Sequence, residues 1–246
     1  MVSLGIFCNG FFNEPKLANL RPYRIEGNDV VEVNLLLSCD DMTRDYEEKA
    51  EHEKALNWVW MKDGTCMERA VHDKLYSAYD WIMFVDSQDE IYWDSIYNNV
   101  IPLLKGSGIE IVHCFPSLVN DCFGCIKHLS TRKFPGNLYS WIKTEHPLSH
   151  FIFAKEMLLK CNGRIAPNKV QMHSFFAGLL MHKPYFLNHG YPIGSTNIDA
   201  HQQIYDRGLW LLKKEWNHKI SNYSSITKEA LGFPVPHRLT RKIVMI

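Results

Sequence analysis

Over residues 1–115 the chain alternates short apolar runs with amphipathic or charged stretches, and this alternation limits the fold more than any other feature. The apolar runs are 4–8 (Leu-Gly-Ile-Phe-Cys), 30–37 (Val-Val-Glu-Val-Asn-Leu-Leu-Leu), 56–61, 81–85 (Trp-Ile-Met-Phe-Val) and 109–115. Each has strand length and is closed by turn-forming or charged residues. Between them, Met67, Val71, Leu75 and Ala78 recur at spacings of three and four, which predicts a helix over about 65–79. Trp93, Ile96, Val100 and Leu103 predict a second, closed by Gly106-Ser107-Gly108. A charged stretch from Thr43 to about Ala55 is helical in pattern. Strands alternating with helices give an α/β fold with a largely parallel central sheet.

Ligands bind at the carboxyl ends of the strands in such sheets. Three of the predicted strands end there in polar or acidic residues: Asn9 to Glu14, Asp40-Asp41, and Asp86 to Glu90. Later segments are less regular. The stretch 120–147 reads as loops with short strands, 151–161 as a helix, and 172–181 as a strand or a buried helix. The stretch 189–196 reads as a Gly/Pro loop leading into a helix from about Asp199.

At 246 residues the chain can bury a substantial core, and it is expected to form one domain over 1–246. Lys and Arg total 27, as do Asp and Glu, so a general polyanion binder is disfavoured. The seven cysteines are odd in number, with the first four in or beside apolar segments, which reads as free thiols in a reducing, cytoplasmic compartment. Cys122 and Cys125 form a single CxxC without the further ligands that a zinc site needs. The apolar runs are too short to cross a bilayer, and no targeting segment is visible.

The sharpest candidates for chemistry are Asp86 and Asp89. Carboxylates at a strand end are hard oxygen ligands suited to Mg2+ or Mn2+, and such a cation can neutralise the charge on a departing diphosphate. On that assignment, Asp89→Ala loses metal-dependent binding of a nucleoside diphosphate while the fold survives. The other reading is an acidic turn capping the helix that begins near Asp94, since acids favour a helix N-terminus.

The order of these segments resembles the GT-A nucleotide-sugar glycosyltransferases. The first strand followed by Asn13-Glu14-Pro15 looks like the family's opening strand and loop. Cys39-Asp40-Asp41-Met42-Thr43-Arg44-Asp45 looks like the turn that holds base and ribose. Lys62-Asp63-Gly64 with Arg69-Ala70 is similar to the next family segment, and the run from Ala78 to Asp86 is close to the strand ending in the family's acidic motif. Asn197-Ile198-Asp199 looks like the segment that supplies the catalytic base. The likeness is good over about 3–110 and loose over 170–210.

The resemblance implies a sugar moved from a UDP- or GDP-sugar to an acceptor hydroxyl, with Mn2+ or Mg2+ and with inversion. Asn13, Glu14, Asp40, Asp41, Lys62, Arg69 and Asp86 would bind the nucleotide, Asp86 and Asp89 the metal, and Asp199 would be the base. Residues 1–115 would form the donor half, and 116–246 the acceptor half with a tail. Two positions depart from the pattern. Gln88 stands where the family has its middle acid, so either Asp89 takes the ligand role one place later or the metal binds weakly. Ile198 stands where a Glu usually precedes the base, and Asp199 also reads as a helix cap.

His201, His218 and His237 are further candidates for a metal or phosphate contact, and Tyr139, Trp141, Trp210 and Trp216 for stacking on a sugar ring or for the core. The acceptor can be a glycan, a protein or a nucleic acid, and the net charge gives the last no support. A nucleotidyltransferase is the alternative enzyme, but 9–15 lacks the Gly-rich basic loop it needs. Gln88 also admits a non-catalytic sugar- or nucleotide-binding relative.

Overall fold

The computed structural model describes residues 1–9, 29–38, 57–61, 70–86, 89–106, 108–115, 117–120, 125–128, 134–144, 147–161 and 172–197. Seven strands form the central sheet: β1 (Ser3–Asn9), β2 (Val30–Ser38), β3 (Asn57–Met61), β4 (Trp81–Asp86), β6 (Ile111–Cys114), β9 (Phe151–Ala154) and β10 (Phe186–His189). Their order across the sheet is β3-β2-β1-β4-β9-β6-β10. Neighbours pair in parallel except at β9, which is antiparallel to both β4 and β6. Four short strands make a second sheet, ordered β5-β11-β7-β8, from β5 (Asp89–Ile91), β7 (Ser117–Asn120), β8 (Cys125–His128) and β11 (Gly194–Asn197).

The central strands are apolar throughout because both of their faces are covered. Along β1, Leu4, Ile6 and Cys8 enter one core while Phe7 enters the other. Along β4, Trp81, Met83 and Val85 face the first core, and Ile82 and Phe84 the second. The first core is closed by α1, a helix over 93–104 that contributes Trp93, Ile96, Val100, Ile101 and Leu104. Pro102 has no N–H to continue an α-helical ladder, and the turn before it, Ile96–Val100, is widened to π geometry. The second core is closed by α2 (Leu138–Thr144), α3 (Lys155–Cys161) and α4 (Met172–Met181) through Leu138, Trp141, Met157, Leu158, Phe175, Phe176 and Leu179.

All five predicted strands are present, with small shifts at their ends. Four other expectations change, the first being that Leu138–Thr144, within the stretch read as loops with short strands, is the helix α2. The helix expected to reach residue 79 breaks at Lys74, whose φ is 58°. A short 3-10 turn, Leu75–Ala78, then buries Tyr76 and Tyr79, leaving Ala78 exposed. The helix expected over 151–161 is a strand followed by a helix, because Phe151-Ile152-Phe153 fills the gap between β4 and β6. The loop expected over 189–196 is the end of β10, a turn, and β11. Of the thiols, Cys8 and Cys114 are free and buried. No helix among the described residues is long and apolar enough to cross a membrane.

Candidate active site

The carboxyl ends of β1 and β4 lie side by side, with Asn9 paired to Asp86 at the edge of the sheet. Asp86 is half-buried there. Three residues on, the chain enters β5 and pairs antiparallel with β11, so that Asp89 faces Thr196, Glu90 faces Ser195 and Ile91 faces Gly194. Gly194 is required for this approach, since a Cβ at that position would stand 2.2 Å from the Glu90 carbonyl oxygen.

The two acids of β5 are both used across this pair. The Ser195 hydroxyl donates to Glu90 Oε2 at 3.2 Å. The Thr196 hydroxyl donates to Asp89 Oδ1 at 2.5 Å. The other carboxylate oxygen of Asp89 accepts the Asp86 backbone N–H at 2.9 Å, which closes the turn between β4 and β5. Ser149 Oγ lies 3.3 Å from the Thr196 hydroxyl, and either oxygen can be the donor. His150 Nε2 lies 3.4 Å from the same hydroxyl. Ser149 and His150 belong to a 3-10 turn, Leu148–His150, that leads into β9.

This network is buried. Asp89 is 7% exposed, Thr196 5%, Ser149 7% and His150 1%. Burial, and then the neighbouring Asp86 charge, raise the Asp89 carboxyl above the ordinary carboxylate range, while the hydrogen bonds from Thr196, the Asp86 amide and Ser149 pull it back. The adjacent Cys8 thiol is pushed far up by burial and then by Asp89 and Asp86, which leaves it an inert core thiol and not a nucleophile.

The two carboxylates expected to share a metal are therefore unlike. Asp86 sits half-buried at the strand end. Asp89 is turned inward, with each oxygen already accepting a hydrogen bond. Among the described residues there is no group of three His, Cys, Asp or Glu side chains able to hold a metal ion. A cation bound chiefly by substrate phosphates and water needs only one or two protein carboxylates, so Asp86 fits that role. The acidic turn does not cap α1 either. Tyr92 stands at the N-cap, and its backbone N–H donates to the Ile193 carbonyl.

Asn13, Glu14, Asp40, Asp41, Lys62, Arg69, Gln88 and Asp199 lie outside the described residues, as do His201, His218, His237, Trp210 and Trp216. Trp141 is fully buried against Phe151 and Phe176 and belongs to the core; Tyr139 is half-buried. The residues that sequence reasoning missed are Thr196, Ser149 and His150. No local pattern marks them, because Gly194-Ser195-Thr196-Asn197 has the composition of a loop.

No protein-family model matches the sequence, and no curated protein is similar to it in sequence. Solved structures are similar in fold. Glucosyl-3-phosphoglycerate synthase from Mycobacterium tuberculosis, in complex with Mn2+, uridine diphosphate and phosphoglyceric acid, superposes with a TM-score of 0.53 at 14% identity, over 96% of this chain and 80% of that one. TarS from S. aureus superposes with a TM-score of 0.52 at 14% identity. The chain has the GT-A fold. The likeness covers 80% of this chain but only 37% of TarS, and 60% of the TarS 1–349 fragment, at 13% identity and a TM-score of 0.51, so the chain spans less than two thirds of the length of these structures. Within the GT-A sheet the strand-end acid Asp86 occupies the central strand, at the edge where α/β folds of this kind take their ligands.

Proposed function

We propose that the chain is a nucleotide-sugar glycosyltransferase that moves a sugar from a UDP- or GDP-sugar to an acceptor hydroxyl, with inversion. The observation that carries this reading is Asp86, a half-buried carboxylate at the carboxyl end of the central strand β4, beside Asn9 of β1. The GT-A fold supports a nucleotide-sugar donor. The Mn2+ and uridine diphosphate bound to the M. tuberculosis synthase support a cation-assisted diphosphate site.

In this reading Asp86 would hold Mn2+ or Mg2+. When bound, such a cation would supply positive charge to offset that of a departing diphosphate. Asn13, Glu14, Asp40, Asp41, Lys62 and Arg69 bind and orient the nucleotide, within the donor half 1–115. Asp199 takes the proton of the attacking hydroxyl on the acceptor side, within 116–246.

The test is titration calorimetry with UDP and GDP, with Mn2+ and then with EDTA, followed by an assay for slow donor hydrolysis. We expect binding of one nucleotide to require Mn2+, with Asp86→Asn weakening it by about tenfold or more. Equal binding in EDTA removes the cation, and binding without turnover replaces the transferase with a nucleotide-binding relative. Asp199→Asn should keep donor binding and lower transfer by about 10²–10⁴, the usual worth of a positioned base. A product with retained anomeric configuration takes that role from Asp199.

A further inference from the structure

Asp89 is the acid that the sequence pattern offers as a second metal ligand, and its surroundings assign it other work. It is 7% exposed. One oxygen accepts the Asp86 backbone N–H, and the other the Thr196 hydroxyl. Thr196 in turn gathers Ser149 and His150, from the turn before the antiparallel strand β9. Three segments distant in sequence thus meet on one carboxylate: the Asp86 turn, β11, and the entry to β9.

We propose that Asp89 is a positioning residue that fastens the Asp86 turn to β11 through Thr196, and not a ligand of the cation. A carboxyl group suits this task because it accepts from two donors at once, one on each oxygen. Gly194 lets β11 come close enough for the bond to form. Buried Ser195 and exposed Glu90 repeat the linkage one residue along. The Asp86 main chain is held from behind, which fixes the point from which its side chain leaves the strand end. Asp199 follows Thr196 by three residues in sequence. The same bond therefore ties the acid on the donor side to the strand that precedes the proposed base.

The consequence for catalysis rests on the transferase reading above; the contact itself does not. The experiment compares Asp89→Asn, Thr196→Val, Thr196→Ser, the Asp89→Asn/Thr196→Val double variant and Asp86→Asn in the full chain. Two quantities are read: the thermal unfolding midpoint, and UDP affinity as Mn2+ is titrated, at a temperature well below every midpoint. Thr196→Val is nearly isosteric and removes the hydroxyl, and with it the contacts to Asp89, Ser149 and His150. We expect Thr196→Val and Asp89→Asn each to lower the midpoint by about 5 °C. Each should also weaken UDP binding several-fold at saturating Mn2+, with an unchanged Mn2+ requirement. The double variant should lose less than the two single losses added, because both act through one bond. Thr196→Ser keeps the hydroxyl and should restore both readings.

A raised Mn2+ requirement in Asp89→Asn, matching that of Asp86→Asn and absent from Thr196→Val, would make Asp89 a ligand and overturn the proposal. So would a Thr196→Val variant that is less stable yet binds UDP as tightly as the parent, since the contact would then be structural only. If the parent protein binds no nucleotide, the transferase reading fails by itself. Strictly additive losses in unfolding would then still refute the Asp89–Thr196 contact.

Discussion

His189 ends β10 at the same edge of the sheet as Asp86, and it shows how a single half-buried ring leaves a trace in stability. Its Nε2 has no hydrogen-bond partner among the described residues, and its ring lies 5.4 Å from that of Tyr191. Burial holds its pKa below the ordinary 6.5. The folded state thus prefers the neutral ring. Above the unfolded value there is no cost. As pH falls below about 6.5, the unfolded chain takes up a proton that the folded chain resists, and stability is lost. We expect the unfolding midpoint of the parent to fall more than that of His189→Gln between about pH 7.5 and about pH 5.5. Parallel curves for the two proteins would show that His189 titrates alike in both states.

Among the elements, the pairing of β5 with β11 depends most on one small residue. Gly194 stands opposite Ile91, and its missing side chain leaves room for the Glu90 carbonyl. A methyl group placed 2.2 Å from that oxygen forces the strands apart, because the obstacle is main chain and cannot rotate away. We expect Gly194→Ala to destabilise by about 1–3 kcal/mol, the range of overpacked sites, measured by chemical denaturation. It should also weaken nucleotide binding in the same direction as Thr196→Val. Gly190, in the same turn, has nothing within 4 Å of its Cβ position, so Gly190→Ala serves as the control with little effect.

At the scale of the molecule, the donor and acceptor halves proposed from sequence share one sheet. β9 and β10 belong to the later half of the chain, yet β9 lies between β4 and β6 of the earlier half. Phe151, Ile152 and Phe153 are buried on that strand, and they pack into both cores. A fragment covering 1–115 would keep β4 and β6 without the strand that joins them. We expect it to lack a cooperative thermal transition, which circular dichroism and calorimetry would test; a sharp, reversible transition would show that the first half folds alone.

The sequence by itself determined the α/β class, the five early strands and the place of Asp86 at a strand end. Buried parallel strands must be apolar on both faces, and helices must carry one apolar stripe, so these elements are written in local pattern. Asp86 was legible for the same reason, since a polar residue closing an apolar run lies at a strand end. The function of Asp89 was not. In sequence it is one acid among three, and only the antiparallel register of β5 on β11 turns its carboxylate toward Thr196. The strand at 151–154 was equally hidden: its residues suit a helix or a strand, and the gap between β4 and β6 decided the matter. β11 is polar along its whole length and reads as a loop. It is a strand because backbone groups of distant segments complete its hydrogen bonds, and contacts that long in sequence exist only once the chain has folded.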